Sequence, residues 1–325
     1  MTESDAPEMA QVTTAQAVRF QSDPVFSKVM NECSQGYVFR QKLIGEIQII
    51  TGRRLVVYLS NPMHPFAVIR KEDITAFEEL LRTVSDADGI DLLINSPGGD
   101  PNTAEKMLSM CRSRFKTLHV IVPDYAKSAA TMVAIGSDKI CMGYLAELGP
   151  IDPQIQFARP DGRIEMIPAG AFIEGLETIR ENILQKGDRP EMYMPMIAQI
   201  RPEILAICRN AIADAHTFAE KWLTNFMMKA RPAKAKEVAT ALTEGKKYKS
   251  HGKVIDFAEA KNELQLDVDL IDNKSPLWDK IWELYIRGTQ FLMLTNQAKL
   301  FENEKVSLAI SISVAQIPPP QKKQP

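Results

Sequence analysis

Three short segments of the chain combine side chains that could do nucleophilic chemistry with residues that expose the backbone. Residues 91–100 contain Ser-Pro-Gly-Gly, residues 122–132 contain Lys-Ser-Ala-Ala, and residues 148–154 contain Ile-Asp-Pro. Each segment begins in or follows a short apolar run that is typical of a buried strand. Because ligands of α/β proteins bind at the carboxyl ends of strands, these segments predict one shared site.

The first segment predicts backbone hydrogen-bond donors. The apolar run 90–94 predicts a strand that stops at the turn residues, and Asp100 followed by Pro101 is typical of a helix start. The adjacent Gly98 and Gly99 allow a sharp turn with outward-pointing N–H groups. Such groups can hold a developing oxyanion, although a purely structural turn would use the same glycines.

The second segment makes Ser128 the candidate nucleophile. Residues 118–122 predict a strand, and the small residues from Ser128 onward predict a helix start, where free N–H groups stabilise negative charge. Ala129 and Ala130 would let a substrate backbone approach closely. The alternative is a helix-capping serine. A serine–lysine dyad is disfavoured because Lys127, as an adjacent residue, points in another direction, so we place its amine at the rim of the site.

The third segment supplies a carboxylate, Asp152. It follows Ser128 by 152 − 128 = 24 residues, enough chain for a helix, a strand and a return to the same sheet edge. Its alternative role is that of a turn residue before proline.

On the residues alone no histidine stands out as the catalytic base, since a lone histidine is more often a surface or core residue. The four histidines are His64, His119, His216 and His251.

Together these motifs carry a resemblance to a known family. Ser-Pro-Gly-Gly, Pro-Asp-Tyr-Ala-Lys-Ser-Ala-Ala-Thr and Leu-Gly-Pro-Ile-Asp-Pro-Gln resemble segments of the superfamily of the Clp protease proteolytic subunit, signal-peptide peptidase A and the crotonases. The closer resemblance, from about residue 40 to about residue 269, is to the serine dehydrogenase proteinase family of prokaryotes. It implies an α/β fold of repeated ββα units with a helical C-terminal part.

The resemblance also implies a set of catalytic residues in the chain order Ser, Asp, His. Ser128 and Asp152 match by segment, and His251, in a loop before a short helix predicted at 256–264, becomes the candidate base. Gly252 departs from the pattern, because an acidic residue is expected after the histidine. Backbone N–H groups of Gly98 or Gly99, together with that of Ala129, would form the oxyanion hole.

The implied function is an ATP-independent serine endopeptidase that hydrolyses peptides or proteins through an acyl-enzyme on Ser128. Two alternatives stay open: a crotonase-type acyl-CoA enzyme, and a catalytically silent scaffold of the same fold, which the departure at Gly252 favours. The resemblance further implies a homo-oligomer. No cofactor or metal is expected, and neither an ATP-binding nor a dinucleotide-binding glycine motif is present.

Composition narrows the class of protein. A formal net charge of −2 argues against nucleic acid as the main partner, because nucleic-acid binding needs basic stripes. The four cysteines form no Cys-x-x-Cys pair, which predicts reduced thiols in a cytoplasmic protein.

Residues 1–23 show no signal-peptide pattern, and no apolar run is long enough to span a membrane. Peripheral membrane association through a partner stays open.

We predict four regions along the chain. Residues 1–34 form a partly disordered arm, and residues 35–275 form the Clp/crotonase-like peptidase domain. Within the domain, Arg-Pro-Asp-Gly at 159–162 predicts a hairpin turn. Residues 276–314 form a helical closing or oligomerisation segment, with helices over 277–300 and a strand over 306–314, and residues 315–325 form a disordered tail.

Overall fold

The computed structural model describes Val25 and residues 36–84, 87–158, 162–198 and 200–311. Apart from Val25, the predicted arm 1–34 lies outside the described residues, as does the predicted tail 315–325. The helices of the described part are α1 (Val38–Thr51), α2 (Asp73–Thr83), α3 (Pro101–Arg114), α4 (Ala129–Ile135), α5 (Ala169–Leu184), α6 (Met194–Ile197), α7 (Pro202–Asn225), α8 (Pro232–Thr243) and α9 (Pro276–Leu294). A 3-10 turn (Pro190–Met192) and a π-helical turn (Glu259–Glu263) complete the helical elements.

The strands build one central sheet and two small pairs. They are β1 (Arg54–Ser60), β2 (Gly89–Asn95), β3 (Thr117–Val122), β4 (Tyr125–Ala126), β5 (Lys139–Met142), β6 (Glu147–Leu148), β7 (Gln154–Ala158), β8 (Ile164–Pro168), β9 (Val268–Leu270), β10 (Lys299–Glu302) and β11 (Ser307–Ile310). The seven-stranded sheet has the order β11-β10-β1-β2-β3-β5-β9. Strands β1, β2, β3, β5 and β9 run parallel, whereas β10 and β11 are antiparallel to their neighbours.

Helices cover both faces of the central sheet. One apolar cluster joins α2, α3, α4, α7 and α8 to the sheet, and a second joins α1 and α9 to the opposite face. Strand β2 is buried along its whole length, as a near-continuous apolar run predicts for a parallel strand between two helical layers. The mixed α/β class expected from the sequence is thereby confirmed.

The parallel strands β2, β3 and β5 all end at the same edge of the sheet, and their carboxyl ends lead into the three motif segments. Asp100 accepts the N–H groups of Asn102 and Thr103, which confirms its predicted role as the cap of α3. Strands β7 and β8, which flank the predicted turn, pair antiparallel as a hairpin requires, whereas residues 159–161 of the turn itself lie outside the described residues. This hairpin begins two residues after Asp152.

The C-terminal part differs from the prediction. The helix pair expected over 277–300 is one helix, α9, and the chain then turns at Asn296 with φ 51° into strand β10. Strand β10 is buried throughout and pairs with β1, so its apolar residues belong to the sheet. Strand β11 confirms residues 307–310 of the strand predicted over 306–314, and residues 312–314 lie outside the described residues. The helix predicted over 256–264 includes the π-helical turn Glu259–Glu263.

Candidate active site

Ser128 lies in a strained turn between β4 and α4. Its φ of 48° and ψ of −118° fall in a region that side-chain-bearing residues rarely adopt, and such strain is typical of functional turns. The Ser128 side chain is partly exposed and makes no capping hydrogen bond to α4. The hydrogen bond that a capping serine would make is therefore missing, and the Ser128 side chain is left partly exposed.

Backbone pairing aligns the Ser128 segment with the glycine segment. The N–H of Ser96 donates to the carbonyl of Tyr125 at 3.1 Å, and the N–H of Lys127 donates to the carbonyl of Ser96 at 3.0 Å. The side chain of Asn95 adds a third link, because its Oδ1 accepts the N–H of Tyr125 at 2.9 Å. These bonds bring the two loops side by side at the carboxyl ends of β2 and β3.

The turn at Gly98 is in direct contact with Ser128. Gly98 has a φ of +97°, and a Cβ atom there would lie 2.8 Å from Cβ of Ser128 and 2.9 Å from the backbone nitrogen of Ala129. Gly99 has a φ of +146°, and a Cβ atom there would lie 2.3 Å from the carbonyl oxygen of Ile69. Both positions therefore require glycine, for conformation and for space.

The two glycines differ in whether their N–H groups are free. The N–H of Gly98 donates to Oγ of Ser96 at 3.2 Å, within the turn itself. Among the described residues, the N–H groups of Gly99 and Ala129 have no hydrogen-bond acceptor. Ile69 holds the turn from the other side, since it bonds the carbonyl of Gly98 at 2.6 Å and the N–H of Asp100 at 2.9 Å. Gly99 and Ala129 are thus the better pair of oxyanion donors.

Asp152 and His251 lie in hydrogen-bond contact. Nδ1 of His251 is 2.8 Å from Oδ1 of Asp152, whose side chain is 3% exposed, whereas that of His251 is 31% exposed. An ionised carboxylate only accepts hydrogen bonds, so Nδ1 carries the proton and Nε2 of the neutral ring is left as an acceptor. A buried acid that fixes a more exposed imidazole is the arrangement found in catalytic triads.

Gln154 completes the environment of the carboxylate. Its Nε2 donates to Oδ2 of Asp152 at 3.0 Å, so both oxygens of the acid have a partner. Gln154 has no role assigned from the sequence. Its position in the Leu-Gly-Pro-Ile-Asp-Pro-Gln motif, two residues after Asp152, is the sequence feature that could have indicated one.

Leu148 is the point at which the site segments meet. It pairs with Ala126, two residues before Ser128, and lies four residues before Asp152. On its other side it exchanges backbone hydrogen bonds of 2.9 and 3.1 Å with Ile255, four residues after His251. The fold thus brings together the segments of all three residues expected from the sequence.

The departure at Gly252 leaves the His251–Asp152 contact intact. A Cβ atom at Gly252 would meet only Oγ of Ser250, at 3.7 Å, which is an ordinary van der Waals distance. The position therefore has room for a Cβ atom, but the hydrogen bond between His251 and Asp152 forms with glycine there. The glycine alone does not disable the site.

The other histidines have structural contacts. Nδ1 of His64 accepts the N–H of Phe66 at 3.1 Å, and Nε2 of His216 lies 3.1 Å from Oγ1 of Thr240. His119 lies inside β3, with Nδ1 3.7 Å from Oδ1 of Asp91. Of the four histidines, His251 is the one in contact with Asp152.

The described cysteines are poor nucleophiles. Burial raises the pKa of the Cys111 thiol to about 12 and that of the Cys141 thiol to about 11. Both are protonated at neutral pH, and the reactive form of cysteine is the thiolate. Ser128 is therefore a better candidate nucleophile than either thiol.

Comparison with known proteins identifies the family to which the chain is similar. A family model described as ClpP-like SDH-type serine proteinase matches residues 37–176. The uncharacterized protein MJ0137 of Methanocaldococcus jannaschii is 32% identical over 227 residues, which cover 69% of this chain and 68% of that protein. The uncharacterized protein MJ1495 of the same organism is 27% identical over 206 residues, which cover 63% of this chain and 61% of that protein.

Solved structures with a similar chain include two proteases. A variant of the 1510-N membrane-bound stomatin-specific protease, in complex with a substrate peptide, is 17% identical and covers 65% of this chain and 74% of its own, with a TM-score of 0.41. A variant of ClpP1 from Listeria monocytogenes is 16% identical and covers 73% of this chain and 99% of its own, with a TM-score of 0.35.

The central sheet and the loops at its carboxyl edge define a ClpP-like α/β protein. The chain belongs to the family of ClpP-like SDH-type serine proteinases. This confirms the family expected from the three motifs. In the part of the chain that the structure describes, we find no helix with the length and apolar character needed to cross a membrane.

Proposed function

We propose that the protein is a serine endopeptidase that cleaves peptide bonds without ATP, through an acyl-enzyme on Ser128. The observation that carries the proposal is the hydrogen bond between His251 and the buried Asp152, in a fold that joins both segments to the strained Ser128 turn through Leu148. Family membership supports the same class of reaction.

In the proposed mechanism, Nε2 of His251 takes the proton of Ser128 as Oγ attacks the peptide carbonyl. Asp152 holds the ring in the required tautomer and stabilises the imidazolium that forms. His251 then gives the proton to the leaving amine, the C–N bond breaks, and an ester to Ser128 remains. A water molecule, deprotonated by His251, attacks this ester; the ester C–O bond breaks, His251 returns the proton to Oγ of Ser128, and the acid product is released.

The developing oxyanion would be held by the N–H groups of Gly99 and Ala129. Support comes from their lack of an acceptor in the described residues and from the contact of the glycine turn with Ser128 and Ala129. Each such donor contributes about 3–4 kcal/mol to transition-state stabilisation.

The substrate class that we propose is a peptide or an unfolded protein segment, and self-assembly into a homo-oligomer is part of the proposal. Exposed apolar side chains on β8, α5 and α6, including Ile164, Leu184 and Met194, are consistent with a contact to such partners. The free thiols of Cys111, Cys141 and Cys208 are consistent with a cytoplasmic location.

Peptide hydrolysis tests the proposal. The purified protein would be incubated without ATP with a mixture of unstructured peptides, and the products identified by mass spectrometry. We expect internal cleavage that falls by about 10⁴-fold or more in Ser128→Ala and His251→Ala. Exposed Ser113→Ala on α3 and His216→Gln on α7 are matched controls that should keep full activity. Cleavage that survives Ser128→Ala would contradict the proposal.

A further inference from the structure

The ammonium of Lys127 lies where the segments of the proposed triad meet. Its backbone directly precedes Ser128, and its side chain is 18% exposed. The Nζ atom is 2.9 Å from Oε1 of Glu147, 3.0 Å from the carbonyl oxygen of Leu148 and 3.5 Å from the carbonyl oxygen of Lys253. One side chain thus joins the nucleophile turn to the segment before Asp152 and to the segment after His251.

These contacts assign Lys127 a role other than proton transfer. A lysine ammonium has three N–H donors, and the three oxygens provide an acceptor for each of them. All three acceptors belong to the Glu147–Leu148 and Lys253 segments, so the amine is directed toward these segments. The geometry differs from that of a serine–lysine dyad, in which the amine must be free to accept a proton from the serine.

A second contact supports the same link. A Cβ atom at Gly149 would lie 2.8 Å from Cδ of Lys127, so the lysine side chain lies directly against Gly149 and an added methyl group there would displace it. The N–H of Gly149 donates to Oγ1 of Thr131 at 3.0 Å, which ties the same segment to helix α4 behind Ser128. The glycine of the Leu-Gly-Pro-Ile-Asp-Pro-Gln motif therefore accommodates the lysine of the serine motif.

We propose that Lys127 is a positioning residue that holds the Asp152 and His251 segments in register with Ser128. The inference rests on the proposed function, because it assigns Lys127 a role in aligning that triad. Reacting groups need alignment to within a fraction of an ångström, and a displacement of about 1 Å can cost about 10²-fold in rate. Loss of the ammonium would leave two backbone carbonyls and one carboxylate without their shared donor.

The test is the kinetics of Ser128 labelling by a fluorophosphonate in the full-length protein, with the maximal labelling rate separated from the probe affinity. We expect Lys127→Met to lower the maximal rate by about 10- to 100-fold while the probe affinity changes little, since the probe contacts Ser128 and the oxyanion donors. Lys127→Arg should restore part of the rate, because arginine keeps the charge and donates to the same oxygens. Gly149→Ala should lower the rate as Lys127→Met does.

Lys139→Met is the matched control. Lys139, in strand β5, also has one carboxylate partner, Asp269 at 2.8 Å, but in the described part of the chain its ammonium does not bond the site segments. In this variant Ser128 should be labelled at the wild-type rate. A Lys127→Met protein that labels at the wild-type rate would overturn the inference, as would an equal loss of rate in Lys139→Met.

Amide hydrogen exchange separates failure of the inference from failure of the proposed function. In Lys127→Met we expect faster exchange at the N–H groups of Leu148 and Ile255, which bond each other's carbonyls. A wild-type protein that is not labelled at Ser128 would overturn the proposed function. Unchanged exchange at Leu148 and Ile255 in Lys127→Met would overturn the inference whether or not the protein is labelled.

Discussion

Nδ1 of His251 lies 2.8 Å from Oδ1 of Asp152, although 99 residues separate the two along the chain. The acid is buried and the imidazole is partly exposed, so the acid orients a ring that still reaches solvent. This contact joins two members of the proposed Ser, Asp, His set, and Leu148 connects their segments to that of Ser128.

The first prediction concerns the proton on His251. In Asp152→Asn the amide can present its NH₂ group to Nδ1 of His251, which would move the ring proton from Nδ1 to Nε2. A protonated Nε2 cannot accept the proton of Ser128. We expect peptide cleavage to fall by about 10⁴-fold with little change in folding. Rates and thermal unfolding of the variant would check this. A variant that retains more than a tenth of the activity would show that Asp152 does not orient the base.

The second prediction concerns the oxyanion turn. In Gly99→Ala the new Cβ would lie 2.3 Å from the carbonyl oxygen of Ile69, so the turn must shift and carry its N–H away from the substrate oxygen. We expect a loss of about 10²- to 10³-fold in the acylation rate. Gly187→Ala is the matched control, since Gly187 also has a positive φ, +76°, but nothing lies within 4 Å of an added Cβ. Equal activity of the two variants would contradict the assignment.

The third prediction concerns stability. Lys299 on β10 is fully buried, and its Nζ donates to both oxygens of Asp73 at 2.6 and 2.8 Å. Lys299→Met leaves a buried carboxylate without its counter-charge, which should cost about 3–5 kcal/mol of unfolding free energy. Asp73→Asn in the same chain should recover much of this loss, because the amide oxygen still accepts from Tyr58 and Arg70.

Urea unfolding of the single and double variants measures this coupling. The exposed pair of Lys116 and Asp88 is the control, and Lys116→Met should leave the unfolding midpoint unchanged. A Lys299→Met protein as stable as the wild type would show that the buried pair adds nothing to stability.

The fourth prediction is a pH dependence. Burial lowers the pKa of His119 from its ordinary value of 6.5, and the neighbouring Arg53 guanidinium lowers it further, against the smaller effects of Asp91 and Asp138. Because the folded pKa is depressed, the unfolded chain binds the proton more readily. Stability is therefore fully present above pH 6.5 and is lost as the pH falls through the folded pKa.

His119→Gln removes this contribution. We expect the unfolding free energy of the variant to fall less than that of the wild type as the pH is lowered from 7 toward 5, with the two curves diverging between pH 6.5 and the folded pKa of His119. Denaturant titrations at several pH values check this. Parallel pH profiles for the two proteins would contradict the prediction.

The sequence predicted strands β2 and β3 and the positions of the motif loops because those signals are local. The apolar runs at 90–94 and 118–122 end in turn residues, and Asp100 with Pro101 marks a helix start whatever the rest of the chain does. The contact between Asp152 and His251 depends on how β5, β6 and the loop before Ile255 pack, which no local pattern encodes. His251 could therefore be singled out only through the family resemblance.

The C-terminal segment shows the limit of periodicity. Strand β10 is buried on both faces. Its two apolar residues, Leu300 and Phe301, do not by themselves distinguish a short strand from a continuation of helix α9. The turn at Asn296 and the partner of Lys299, which is Asp73 on α2, are fixed by tertiary contacts. The adjacency of Lys127 to Ser128 predicted an amine at the rim of the site, but not its contacts with Glu147, Leu148 and Lys253, which depend on tertiary packing.

The most direct test of the proposed site is to locate a fluorophosphonate adduct by mass spectrometry in the wild type, in Ser128→Ala and in His251→Ala. The proposed site predicts one adduct, on Ser128, formed at a rate that falls sharply in His251→Ala. An adduct on another residue, or a folded wild-type protein with no adduct, would contradict the claim that Ser128 is an activated nucleophile.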